Sequence, residues 1–218
     1  MADAPSNRPN VLVFISHDTG RFLTPYGYTT VSTPNFDRLA AMGTTFDAAF
    51  CTTPLCAPAR AALLTGMPPH QNGMMGLPGD HLGGWDLVRK DRHLARIMRD
   101  AGYEAVLCGF EHETSDLWSV GFERAIHGPG VAHNGGKTMP GIGTSIAGWI
   151  AGRDDDERPF YLQIGSHETH REWTKDAEPF SERGVWKAPY LVDDPEVDRE
   201  MAEQQGAINA LDRGVGEI

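Results

Sequence analysis

The chain has 218 residues and a mass of 23.8 kDa, enough for one ample core or two small ones, with a single domain as the default. Its composition, 40% hydrophobic and 22% charged, excludes an intrinsically disordered chain. A formal net charge of -11, from 19 Lys+Arg against 30 Asp+Glu, lacks the basic footprint that a nucleic-acid backbone demands.

The first residues, "MADAPSNRPN", form a polar leader over 1–9 with no basic n-region or long apolar h-region, and no apolar run further on approaches a membrane span. Cys51, Cys56 and Cys108 are odd in number and lack CxxC spacing, so neither a disulfide framework nor a structural zinc site is indicated. These features predict a reducing, cytoplasmic setting with no membrane partner.

"NVLVFIS" (Asn10 to Ser16) is a β-branched apolar run that predicts a strand buried on both faces of a parallel sheet. "STPNFDRLAAMG" predicts a helix with Ser32 or Thr33 as N-cap, Pro34 in its first turn, Phe36, Leu39 and Ala40 on one face and Gly43 as stop. "APARAALLTG" reads as a second helix. "DRHLARIMRDAG" reads as a third, with Leu94, Ile97 and Met98 inward, followed directly by the strand "YEAVLCG". After a glycine-rich stretch from Gly128 to Gly143 come the helix "TSIAGWIAG", the solvated turn "DDDE" and the strand "RPFYLQIGS". A capping Asp194 and Pro195 open a last helix carrying Val197, Met201, Ile208, Leu211 and Val215 at helical spacing. Alternating helix and strand predicts an α/β fold, a mostly parallel sheet flanked by helices, with active groups at the carboxyl ends of strands.

Polar clusters follow the three strands: His17 and Asp18; Glu111 and His112; and His167, Glu168, His170 and Arg171. Loops are polar in any case, and one such histidine is more often a surface residue than a catalytic one. Recurrence at one sheet edge weighs against that bland explanation. The donors suit a divalent cation, imidazole favouring zinc-like ions and carboxylate favouring calcium or magnesium. Phosphate cradles are poor matches. "NGGKT" (Asn134 to Thr138) has Val131 where a P-loop needs its first glycine, "GIG" at Gly141 to Gly143 lacks a third glycine and a preceding strand, and no GxSxG elbow exists.

Cys56 differs from its fellows. Pro58 starts a helix, so Cys56 lies just before a helix N-terminus, where amide N–H groups favour an anionic oxygen or sulfur, and Arg60 adds a fixed positive charge one turn on. Cys51 and Cys108 read as buried small hydrophobes.

The stretch from Pro54 to Gly66, with Cys56, Pro58, Arg60, Leu63, Leu64, Thr65 and Gly66, resembles the signature of the type I sulfatases. "RPNVLVFISHDTG" is similar to that family's opening strand and metal loop, "TPNFDRLAAMGTTFDAAF" to its first helix and following strand, and "RPFYLQIGSHETHR" to the strand bearing a substrate-binding histidine. "MPPHQNGMMGL", "HETHR" and "INALDRGVGEI" look most like the heparan N-sulfatase branch. The resemblance implies an alkaline-phosphatase-like sandwich, of which residues 1–218 would be the N-terminal part of the catalytic domain, C-terminally incomplete.

It further implies that Cys56 is oxidised by a separate generating enzyme to formylglycine. The hydrate of that aldehyde is metal ligand and nucleophile at once: one hydroxyl attacks sulfur and the other, deprotonated, expels the sulfate. A divalent cation, calcium in this reading, and cationic side chains stabilise the developing charge. By the same resemblance Arg60 stabilises the Cys56-derived group and Asp18 is a metal ligand. His112 matches the histidine of a Gly-Lys-x-His motif, His170 contacts sulfate, and Arg171 joins it in binding substrate. Three departures stand out. His17 replaces the first of two adjacent aspartates, Phe110 replaces the lysine two residues before His112, and the family's later Asp-Asn metal pair and a further lysine have no counterpart in these residues. The implied substrate is a sulfated small molecule or glycan. A phosphonate or phosphate ester hydrolase of the same superfamily and a non-catalytic binding fragment are the alternatives.

Overall fold

The computed structural model describes residues 8–79, 83–126, 139–154, 158–173 and 177–218. The start of the polar leader, the Asn134–Thr138 loop and most of the "DDDE" turn lie outside the described residues. The chain divides into two compact units. The first draws on Met1–Ile15, Phe50–Gly136 and Gly148–Gly165, the second on Ser16–Ala49, Lys137–Ala147 and Ser166–Ile218.

The first unit is built on a parallel sheet of β1 (Val11–Ile15), β2 (Glu104–Gly109), β3 (Arg124–Ala125) and β4 (Phe160–Gly165), in the order β1-β4-β2-β3. β4 pairs on both sides, Ile15 and Gly109 both lying in register with Gly165, and every residue of β2 and β4 is buried. β1 departs from expectation: it is the edge of the described sheet, and Leu12 is 44% exposed. An apolar run signals an affinity for burial but does not say whether a neighbour exists on each side.

Helices α2 (Cys56–Thr65), α3 (Pro69–Asn72) and α4 (Leu94–Asp100) belong to the same unit. Ala57 and Ala61, one turn apart on α2, pack with Ala95 of α4 and with Ala105, Leu107 and Tyr161 of the sheet, all buried. Small side chains at this seam let helix backbones approach closely. On α4 the inward stripe runs through Leu94, Ala95 and Met98, and Ile97, expected inside, is 45% exposed. His93 sets this phase, since its Nδ1 accepts from the Ala95 amide (3.1 Å) and starts the helix at Leu94. Cys108 is buried as expected, whereas Cys51 is exposed because it lies on irregular chain ahead of α2 and not on a packed element.

The second unit contains α1 (Pro34–Met42), α6 (Pro195–Glu217) and the start of α5 (Met139–Ala151). Thr33 is the N-cap of α1, yet its hydroxyl accepts from the Thr24 amide (2.9 Å) and caps nothing in the helix. The carboxylate of Asp212 on α6 takes over, accepting from the amides of Asn35 (3.0 Å) and Phe36 (2.9 Å). Leu39, expected on the packed face of α1, is 47% exposed. On α6 Ile208 and Leu211 are buried as the spacing predicts, and Asp194 caps the helix by accepting from the Glu196 amide (2.8 Å). Among the described residues no helix is long and apolar enough to cross a membrane.

Candidate active site

Cys56 is the first residue of α2, not the residue before it, with Leu55 as an extended N-cap and Pro58 in the first turn. The cysteine therefore sits among the orphan amides of a ten-residue helix, at the positive end of its dipole. Arg60 follows one turn later and is only 4% exposed. Its Nη2 donates to the Phe110 carbonyl (2.9 Å), its Nε to Glu113 Oε2 (3.3 Å), and its guanidinium lies 5.5 Å from the centroid of the Phe110 ring.

Glu113 is the hub of this cluster in the first unit. Its Oε2 also accepts from the His112 amide (3.0 Å), and its Oε1 accepts from Gln163 Nε2 (3.1 Å), whose own Oε1 accepts from the Tyr161 hydroxyl (3.0 Å). One carboxylate thus ties the turn after β2 to α2 and to β4. Burial by itself would raise the Glu113 pKa, but the Arg60 charge, His93 and the His112 amide outweigh it and hold the group below the usual carboxylate range. Glu111 is its opposite. Burial first, then the Glu113 charge, pushes it well above that range. Burial likewise lowers His93 to about 4 and keeps it neutral. His112 is 9% exposed, its ring 4.6 Å from that of Phe110. Gly165 closes the floor: the Phe110 amide donates to its carbonyl (2.7 Å), and a Cβ there would lie 1.6 Å from the Phe110 oxygen.

The second unit gathers His17, Asp18 and His170. Each offers a ligand atom within 4.8 Å of the other two, and the His17 and His170 rings stand nearly perpendicular at 4.5 Å. Two loops are laced together to do this: the His17 amide donates to the Glu168 carbonyl (3.0 Å), and the Thr169 amide and hydroxyl both donate to the His17 carbonyl (2.7 Å each). His17 Nδ1 lies 3.1 Å from Asp18 Oδ1. Asp18 has φ 51, a left-handed conformation that an aspartate tolerates better than most residues and that is often kept where function requires it. His167 is 5.0 Å from His170 ring to ring, and burial, then the two neighbouring imidazoles, lowers its pKa. One carboxylate and two imidazoles converging in this way fit a divalent cation. Arg171 is engaged elsewhere, in an ion pair with Glu200 of α6.

A family model for sulfatases matches residues 9–218. The chain belongs to the sulfatase family. It is 27% identical to human N-sulphoglucosamine sulphohydrolase over 95% of its own length and 45% of that protein's. Solved structures with the same fold include yidJ of Bacteroides fragilis (TM-score 0.75, 20% identity, covering 100% of this chain and 59% of that one). Another is a protein solved with its substrate D-glucosamine-2-N,6-O-disulfate (TM-score 0.67, 18% identity, 96% and 61%). The chain spans about half the length of these relatives.

Within the family pattern described above, the turn after β2 is a departure. Phe110, in the place of the expected lysine, engages Arg60 through both its carbonyl and its ring. Glu113, Gln163 and His93 were not singled out from sequence. The signal available was "EHE" one residue after a fully buried strand, two acidic groups in a stretch whose burial needs a buried cation to answer them.

Proposed function

We propose that this chain carries the nucleophile and part of the cation site of an enzyme that hydrolyses sulfate esters or sulfamates. The observation that supports this most is Cys56 opening α2 with Arg60 buried one turn on, inside Cys56-x-Pro58-x-Arg60 followed by Thr65-Gly66. Cys56 is the precursor of formylglycine, made by a generating enzyme, and the hydrated aldehyde supplies the attacking oxygen. Amides of the first turn of α2 favour negative charge at that position. Arg60, fixed by Glu113 and the Phe110 carbonyl, holds its positive charge beside the nucleophile without having to reorganise. His112, whose amide is fixed by the same carboxylate, serves as the proton-handling group.

Asp18, His17 and His170 would hold the divalent cation, which supplies electrostatic stabilisation of the sulfate oxygens. The family resemblance points to calcium, which takes six to eight oxygens, so the imidazoles require further oxygen donors from protein or water. His170, through the ring nitrogen it does not give to the cation, and Arg171 are the proposed sulfate-binding residues, Arg171 exchanging Glu200 for substrate. The test is hydrolysis of an aryl sulfate and an aryl phosphate by protein co-expressed with a generating enzyme. Faster turnover of the sulfate, abolished by Cys56→Ala, supports the proposal. A preference for the phosphate makes the protein a phosphate or phosphonate ester hydrolase, and activity that survives Cys56→Ala refutes the nucleophile.

A further inference from the structure

The cation group of the second unit is poor in the donors that calcium takes. His17, Asp18 and His170 each offer one ligand atom within 4.8 Å of the others. A third imidazole stands at the edge of the group, the His167 ring centroid lying 5.0 Å from that of His170 and 5.9 Å from that of His17. Of these four side chains Asp18 alone is a carboxylate, so together they bring one formal negative charge. Glu168, between the two loop histidines, has its Oε2 engaged by the Ser166 hydroxyl (2.7 Å). Calcium takes six to eight oxygens, and its affinity follows the charge those ligands carry.

The loops hold these donors firmly. His167 and His170 belong to one turn, the His170 amide donating to the His167 carbonyl (2.8 Å), and the Thr19 hydroxyl donates to the His17 carbonyl (3.3 Å) alongside the bonds from Thr169. His17 is only 2% exposed, so this is an interior group and not a scatter of surface histidines. His170 Nδ1 is buried and has no hydrogen-bond partner among the described residues. A dry imidazole nitrogen costs free energy, and an ion bound there removes that cost. Imidazole is a donor that first-row transition ions accept readily and that calcium and magnesium do not favour. Two imidazoles and one carboxylate, with positions left for exchangeable ligands, form a set that catalytic zinc uses.

We infer that the His17–Asp18–His170 group selects a first-row transition ion, zinc in the first instance, over calcium. This preference, which rests on the cation site proposed above, replaces the calcium that the family resemblance implies. The deciding residue is His17, which stands where the family pattern has an aspartate. That exchange removes one negative charge and two oxygens and adds a nitrogen, and each change moves the site away from calcium.

The test is calorimetric titration of chelator-treated, tag-free protein with zinc chloride and, separately, calcium chloride at neutral pH. The protein carries Cys51→Ser and Cys56→Ser, which removes the two less buried thiols that would take zinc elsewhere. Zinc should bind about a hundredfold or more tightly than calcium, and His170→Ala should weaken zinc about tenfold or more while changing calcium less. Asp18→Asn, which suits the left-handed backbone at that position, should weaken both ions. Should His170→Ala fail to fold, His170→Gln takes its place. Calcium bound as tightly as zinc or more so, and lost in Asp18→Asn, overturns this inference and leaves the proposed cation site standing. Absence of binding of either ion, or affinities unchanged in both variants, overturns the inference and the cation site together. Aryl sulfate hydrolysis by the unaltered protein tests the sulfatase reading separately, so either can fail alone.

Discussion

Lowering the pH from 7 to 4 should destabilise the first unit through His93, and by a predictable amount. The ring is fully buried, its Nδ1 spent on the Ala95 amide and its face 5.7 Å from Phe122, and its pKa falls from 6.5 to about 4. Burial is the cause, with the nearby Glu113 charge opposing it. The unfolded chain therefore takes up a proton near pH 6.5 that the folded chain refuses until about pH 4. Stability is complete above the unfolded value and falls through that window, by about 3 kcal/mol in all. The comparison is His93→Asn, which keeps a cap acceptor at the start of α4 and removes the titration. Urea unfolding followed by circular dichroism at half-unit pH steps gives the two slopes. The variant should start less stable at pH 7 and lose about 3 kcal/mol less than the parent on the way to pH 4. Parallel pH profiles would refute the assignment of a buried neutral imidazole at this position.

Other outcomes follow from the same geometry. Glu113→Ala leaves Arg60 buried without its carboxylate and should cost about 3–5 kcal/mol in urea unfolding, whereas Glu113→Gln, which keeps one of the two acceptor oxygens for the His112 amide and Arg60 and loses the bond from Gln163, should cost less and act mainly on turnover. Gly165→Ala forces a Cβ onto the Phe110 carbonyl and should lower stability by about 1–3 kcal/mol or more while loosening Arg60, read as a rise in the exchange rate of the Phe110 amide. His17→Asp exchanges an imidazole for oxygens in the His17–Asp18–His170 group and should raise calcium affinity relative to zinc in a competition titration. An unchanged ratio removes His17 from the cation site.

The elements of the sheet were the most legible features of the sequence. "YEAVLCG" and "RPFYLQIGS" become β2 and β4, because a strand buried on both faces calls for a mostly apolar run, with Gln163 as the polar exception that its bond to Glu113 satisfies. Helix ends were equally plain where a residue chemistry marks them, as Asp194 and Gly66 do. What failed depended on neighbours distant in sequence. Leu12, Leu39 and Ile97 have the right residue type and spacing, yet the partner that would cover each is absent from the described structure around it. Similarly, of the two N-caps open for α1, Ser32 and Thr33, the helix uses Thr33, but the acceptor that does the capping is Asp212, 177 residues from Asn35. For the site, Cys56 and Arg60 were visible because their spacing on one helix fixes their relation. Glu113 was not, because its meaning comes from Arg60 and Gln163, roughly fifty residues away on either side.

The central claim is that Cys56 is a nucleophile precursor, and peptide mass spectrometry after co-expression with a formylglycine-generating enzyme tests it most directly. The peptide spanning Pro54 to Arg60 should carry an aldehyde-reactive residue at position 56, with Cys51 unaltered in the same sample. A fully unmodified Cys56 beside a generating enzyme shown to be active on a control peptide would contradict the claim.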